Sequence, residues 1–198
     1  MSLYQPLWRD GRTEGDSIRD AEIRYQAIVS QLSGLPEGFS VLDVGAQSGY
    51  FAVRMAAELG ARAVAADGDV RLAEGLKLMG AENKVHSVHT FLAPGDITGL
   101  GPFDVGLCLS VLHHVDWWWE MLTELLDNCS MVFVETAMPE EVLDPKTVLR
   151  RRETLETVRG LAEGNPLCLV PGYDKRVLRP TYRLPGRSPF GVSRSTSE

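Results

Sequence analysis

The residues best placed to do chemistry fall in one short segment, Val41-Leu42-Asp43-Val44-Gly45-Ala46-Gln47-Ser48-Gly49-Tyr50-Phe51. There an apolar strand pattern runs into a glycine-bearing turn and then into a helical pattern. Glycine at such a turn lets backbone approach a ligand closely and tolerates positive φ. Asp67 ends a second strand, Val64-Ala65-Ala66-Asp67, 22 residues after Gly45. A carboxylate at that place can accept hydrogen bonds from both hydroxyls of a ribose. Asp69 competes for the role, or caps the next helix. Gly95-Asp96-Ile97 is either a ligand-contacting loop or a Gly-Asp turn. His113 and His114 carry imidazoles that titrate near neutral pH, so they read as a general base or as residues packing a loop. Glu135 ends the strand Met131-Val132-Phe133-Val134-Glu135-Thr136, where it either positions a substrate or accepts a backbone N–H.

Elements of two kinds must hold these side chains. From Ser17 to Leu32, Ile18, Ala21, Tyr25, Ile28 and Leu32 recur at helical spacing, and Gly34 and Pro36 end the pattern. Strand patterns follow at Ser40–Val44, Val64–Ala66, Val85–His89, Asp104–Leu109 and Met131–Val134. Helical patterns alternate with them at Tyr50–Leu59, Val70–Met79, Trp117–Asp127 and Lys146–Glu163. This alternation predicts crossover units and a mostly parallel sheet covered on both faces. Two runs after Gly164-Asn165-Pro166, Leu167–Val170 and Val177–Tyr182, predict a hairpin closing one edge, with Pro180 confining its strand to the edge. Trp117, Trp118 and Trp119 spread over about 200 degrees of a helix, so at least one faces solvent or an interface.

Composition sets the outer bounds. A chain of 198 residues fits one domain and leaves little room for a separate substrate domain. No apolar run approaches the roughly 20 residues that cross a bilayer, and the polar start is not a signal peptide, which predicts a cytoplasmic protein without a membrane partner. Cys108, Cys129 and Cys168 lack C-x-x-C spacing and read as structural thiols, with no metal cluster. The net charge of -7 is uneven: residues 145–198 hold 11 Lys+Arg against 5 Asp+Glu, and the rest holds 9 against 22. Arg150, Arg151 and Arg152, with Lys175, Arg176, Arg179 and Arg183, are therefore candidates for a basic surface facing an anionic acceptor or nucleic acid, or else for solvated helix faces.

The segment around Asp43, Gly45 and Gly49 resembles the first motif of the class I S-adenosylmethionine-dependent methyltransferases, with Gln47 at the middle glycine position. The likeness covers Phe39 to Thr136 in order, and more loosely the hairpin to Tyr182. It implies a Rossmann-like, doubly wound, three-layer α/β/α fold whose seven-stranded sheet is mostly parallel with an antiparallel edge hairpin. It also implies S-adenosylmethionine as cofactor, held by Asp43, Gly45, Ala46, Gln47, Gly49, Tyr50, Asp67, Gly68, Asp96, Ile97, Leu109 and Ser110, with His114 and Glu135 as candidate catalytic groups. Within the family the amide in the turn, the Leu-His-His exit and the Val-Glu-Thr strand are similar to transfer-RNA wobble-uridine enzymes and their small-molecule relatives. The expected organisation is a helical extension or lid over 1–36, the cofactor domain over 37–185 and a mobile tail over 186–198. A non-catalytic binding subunit and a nicotinamide-dependent oxidoreductase remain the competing readings.

Overall fold

The computed structural model describes residues 4–187. A short antiparallel hairpin comes first, β1 (Leu7–Arg9) and β2 (Arg12–Glu14), turned by Asp10 and Gly11 at φ 51° and 75°. Helix α1 (Ala21–Val29) follows, its N-terminus capped by Asp20, whose carboxylate accepts from the Ile23 N–H at 3.2 Å.

Crossover units then build the main sheet. They run β3 (Ser40–Val44), α2 (Tyr50–Leu59), β4 (Arg62–Ala66), α3 (Arg71–Leu78), β5 (Val85–Val88), α4 (Asp96–Leu100) and β6 (Phe103–Leu109). After them come α5 (Trp118–Asn128), β7 (Cys129–Glu135), α6 (Val148–Leu161), β8 (Cys168–Pro171) and β9 (Leu178–Pro185). The strand order is β5-β4-β3-β6-β7-β9-β8, parallel from β5 through β7 and antiparallel where β9 pairs with β7 and β8. This is the Rossmann-like, doubly wound sheet expected from the sequence.

Alternation along the strands makes both faces apolar, as a covered parallel sheet requires. Val41, Val105, Leu107 and Phe133 pack with Tyr25, Ile28, Phe51, Met55 and Leu72, placing α1 to α3 on one face. Their neighbours Leu42, Cys108, Val132 and Val134 pack with Ile97, Leu122, Leu125 and Val158, placing α4 to α6 on the other. The N-terminal extension is part of the core rather than an appendage. Arg54 stacks on Trp8 at 4.4 Å and on Tyr25 at 3.8 Å, joining β1 and α1 to α2.

Pro180 does not occupy the edge. It lies in β9, an interior strand, while β8 forms the edge. Its carbonyl accepts from the Thr136 N–H, one residue past the end of β7, so its missing N–H faces a place where the neighbouring ladder has stopped. Trp119 is half exposed, while Trp117 is anchored by its indole N–H on the Leu92 carbonyl at 3.0 Å. Cys108 and Cys129 are buried free thiols, each held protonated by burial, with pKa pushed up to about 12. No helix among the described residues is long and apolar enough to cross a membrane. The tail expected to be mobile lies, from 188 onward, outside the described residues.

Candidate active site

The strand order reverses between β3 and β6, and in open α/β sheets the crevice outside the carboxyl ends at such a point is where ligands bind. The glycine turn leaves β3 at this point. Gly45 and Ala46 donate their N–H groups to the Ala66 carbonyl at 2.8 and 3.2 Å, tying the turn to β4. Gly45, Gln47 and Gly49 all have positive φ, at 68°, 55° and 83°. A Cβ on Gly45 would overlap the Val111 side chain in the loop leaving β6. Gly75 of α3 lies against the Ser48 backbone, where a Cβ would overlap it.

Asp67 is the keystone of the crevice. Its Oδ2 accepts from the Gln47 N–H at 2.8 Å and its Oδ1 from the Asp69 N–H at 2.9 Å. Each carboxylate oxygen keeps a further lone pair, so the group can still receive ribose hydroxyls while holding the turn in place. Asp69 is committed elsewhere: it accepts from the Arg71 side chain and backbone, which hold its pKa down to about 2, while the residue at the N-cap of α3 is Val70. Tyr50 offers only its backbone to the crevice. Its ring is buried and its hydroxyl meets Thr13 at 3.0 Å and the Arg54 guanidinium at 2.7 Å.

Asp43 is 3% exposed and its Oδ2 has no partner among the described residues. Burial, with Asp67 adding repulsion, raises its pKa to about 7. A buried acid with one unpartnered oxygen fits a ligand bearing an ammonium group. Gly49 is the N-cap of α2 and supplies no side-chain cap, while the Ala52 N–H of the first turn donates to Asp43.

Gly68 lies under the ring of Phe91, an exposed aromatic, and a Cβ there would overlap it. The acid-bearing loop before β6 is a short helix, α4. Asp96 accepts from the Ala93 N–H at 2.7 Å, and Ile97 is buried in the core below it. Leu109 is likewise buried at the end of β6. Ser110 follows in a strained conformation, φ 67°, its N–H donating to the Glu135 carbonyl.

The two catalytic candidates differ. Glu135 is fully buried, Oε1 paired with Arg19 and Oε2 with Arg24 at 2.8 Å. Its pKa is lowered despite the burial, because Arg24, Arg19 and Arg179 surround it. It anchors the N-terminal segment to the end of β7 and is not free to accept a proton. His113 is buried and its pKa drops to about 2, from burial first and then from His114, Arg179, Arg151 and Arg19. His114 reaches the surface, its ring 4.0 Å from that of His113, and is also lowered, by desolvation and by Arg179 and Arg150.

Around Ser110 the structure gathers arginines that sequence reasoning did not place there. Arg179 is paired through both ends of its guanidinium with Glu141, and its Nη1 donates to Ser110 Oγ at 2.9 Å. Arg151 donates to the Met138 and Glu141 carbonyls at 3.2 and 2.8 Å. Of the seven basic residues singled out in the C-terminal third, Arg151 and Arg179 are buried and so do not face solvent. Among the described residues no group of His, Cys, Asp and Glu is arranged to hold a metal.

Comparison with known proteins bears on the family and the fold. A family model described as a methyltransferase domain matches residues 17–168. Solved structures with a similar fold include WbdD in co-crystal with the kinase inhibitor LY294002, at TM-score 0.70 and 24% identity, covering 86% of this chain and 42% of that one. A second, described as the bifunctional kinase-methyltransferase WbdD, has TM-score 0.69 and 23% identity over 93% of this chain and 44% of that one. The N-terminal domain of EvdMO1 in the presence of SAH and D-fucose has TM-score 0.62 and 18% identity, covering 92% of this chain and 90% of that one. The chain thus spans less than half the length of the WbdD chains it resembles. No curated protein matches the sequence. These matches lend no support to the likeness with wobble-uridine enzymes.

Proposed function

Because the chain belongs to the methyltransferase domain family, we propose that it binds S-adenosylmethionine across the carboxyl ends of β3, β4 and β6 and transfers its methyl group to an acceptor beside Ser110. The observation that carries the reading is the Gly45–Gly49 turn locked onto Asp67 at the sheet's reversal point, with the unpartnered Oδ2 of Asp43 at the end of β3. Asp67 would receive the ribose hydroxyls, Gly45 and the α2 N-terminus would admit the chain carrying the amino acid, and Asp43 would face its ammonium. Asp96 and Phe91 border the adenine end.

When bound, the cofactor supplies an electrophilic methyl on a sulfonium, which needs no metal to react. What the protein adds is alignment and exclusion of water. The N-terminal segment supplies the exclusion, clasped over the sheet end by Arg19 and Arg24 on Glu135. A general base is required only where the acceptor must lose a proton, and His114 is the imidazole that reaches solvent beside the site.

The test is transfer of label from methyl-tritiated S-adenosylmethionine to small-molecule, glycan, protein and RNA fractions. The proposal expects one fraction to be labelled by the wild type and not by Asp67→Ala. Cofactor binding with no labelled fraction would favour a non-catalytic binding subunit.

A further inference from the structure

The N-terminal extension is held to the body in two unlike ways. Its flanks are packed: Trp8 is buried against the Arg54 guanidinium with its N–H on Met79 Sδ at 3.2 Å, and Ala21, Tyr25 and Ile28 seat α1 in the core. Residues 15–20 between them are not. Arg19 is the one buried residue of these six, and Gly15 turns the chain at φ 89°. Behind them lies a cavity of about 360 Å³, lined on one side by Gly15, Ser17, Ile18 and Asp20 and on the other by Pro171 and Lys175. Arg19 itself reaches across the carboxyl ends of the sheet. Its guanidinium pairs with Glu135 at the end of β7 and donates to Ser110 Oγ past β6 at 3.4 Å, and its N–H donates to the Tyr4 carbonyl at 3.3 Å. Through that last bond it fixes Tyr4 and Gln5, which cross the mouth of the crevice. The buried Gln5 accepts from the Ser48 hydroxyl of the glycine turn at 3.3 Å, and the Tyr4 side chain interacts electrostatically with Arg71 of α3 and Arg179 of β9.

Resting on the methyltransferase reading, we propose that residues 4–5 and 15–20 form a strap over the cofactor crevice, latched by Arg19, which swings toward the cavity to let S-adenosylmethionine in and S-adenosylhomocysteine out. Packing at both flanks and a void behind the middle let such a segment move without uncovering the core. Opening strands no charge. When Arg19 leaves, Glu135 keeps Arg24 at 2.8 Å and Ser110 Oγ keeps Arg179 at 2.9 Å, while the freed guanidinium passes into water. The strap is therefore released by itself, and the clasp of α1 on β7 through Arg24 stays shut.

Rapid filtration with tritium-labelled S-adenosylhomocysteine measures association and dissociation separately on the full chain. Gated entry predicts that the observed association rate of the wild type levels off as ligand concentration rises, at the rate of strap opening. Arg19→Met should raise that plateau and the dissociation rate together by about tenfold or more, the scale of one lost charge-assisted contact, and leave Kd within about threefold. Ile18→Trp, which fills the cavity behind the strap, should lower both rates. A residue that only shaped the site would change dissociation alone. That result, or unchanged rates in Arg19→Met, overturns the proposal while leaving the methyltransferase reading standing. Should Arg19→Met fail to fold, the wild type and Ile18→Trp still decide: an association rate linear in ligand and unmoved by Ile18→Trp overturns the strap. Failure of the wild type to bind S-adenosylhomocysteine overturns the methyltransferase reading and the inference with it.

Discussion

Replacing Glu135 by Gln should destabilise the protein more than any substitution in the glycine turn. The carboxylate is fully buried and paired with Arg19 and Arg24, both themselves buried. Gln keeps the shape and one acceptor but removes the charge, leaving two guanidiniums facing each other across a dry contact. Breaking a buried pair by removing one partner costs about 3–5 kcal/mol. Against a total stability of roughly 5–15 kcal/mol that is a large share. In a chain of this size it corresponds to a fall in melting temperature of about 6–20 °C. Urea denaturation followed by circular dichroism measures it, and an unchanged slope would show that the unfolded state is the same. The pH dependence adds a signature. The arginines hold the native pKa of Glu135 below its ordinary value of 4.5, so the unfolded chain takes up the proton first as pH falls. The stabilisation is therefore complete above that ordinary value and is lost as pH drops through the native one. Glu135→Gln should flatten this acid limb. A loss under about 1 kcal/mol with an unaltered acid limb would refute the reasoning, because it would mean that the arginines keep their hydration and the N-terminal segment is not sealed to β7.

Three further substitutions probe the crevice. Gly45→Ala puts a Cβ into Val111 at a φ of 68° and should reduce S-adenosylhomocysteine affinity at least about tenfold, read by calorimetry, with a melting temperature lowered by a few degrees. Asp67→Ala removes the proposed ribose acceptors together with the acceptors of the Gln47 and Asp69 N–H groups, and should weaken the same ligand by about 100-fold, roughly 2.7 kcal/mol. Asp43, with its pKa near 7, is largely protonated in the free protein below neutrality, whereas a bound ammonium favours the carboxylate. Affinity for S-adenosylhomocysteine should accordingly rise with pH up to about 7 with release of a proton, measured in buffers of different ionisation enthalpy. In Asp43→Asn that pH dependence should vanish, and its persistence would move the titrating group elsewhere.

The sheet was legible because its signals are local. Ser40–Val44 and Tyr50–Leu59 match their expected bounds, since an apolar run, a glycine turn and a helical period are each written in contiguous residues. The N-terminal hairpin was passed over even though Asp10-Gly11 is a hairpin turn signal, because its three-residue strands carry no alternation long enough to read. Arg24 and Arg151 were partly readable. Arg24 falls between Ala21 and Ile28 on the buried face of α1, and Arg151 shares a face with Thr154 and Val158, yet Arg151 was read as part of a basic or solvated face because charged helix residues are ordinarily exposed. The pairing of Arg179 with Glu141, and of Arg19 with Glu135, spans 38 and 116 residues and depends on which strands are neighbours. That information lies in the topology of β7 and β9, where an antiparallel strand brings the C-terminal segment over the end of a parallel one. For the same reason Glu135, read in the sequence as positioning a substrate or accepting a backbone N–H, is a clasp in the fold.

We propose that the Gly45–Gly49 turn and Asp67 hold S-adenosylmethionine. Calorimetric titration of the wild type and Asp67→Ala with S-adenosylhomocysteine, with NAD and NADP as controls, tests it directly. Binding of S-adenosylhomocysteine that Asp67→Ala weakens by about 100-fold, with no heat from either nicotinamide cofactor, is the predicted result. Binding of a nicotinamide cofactor in its place, or binding that Asp67→Ala leaves unchanged, would contradict the claim.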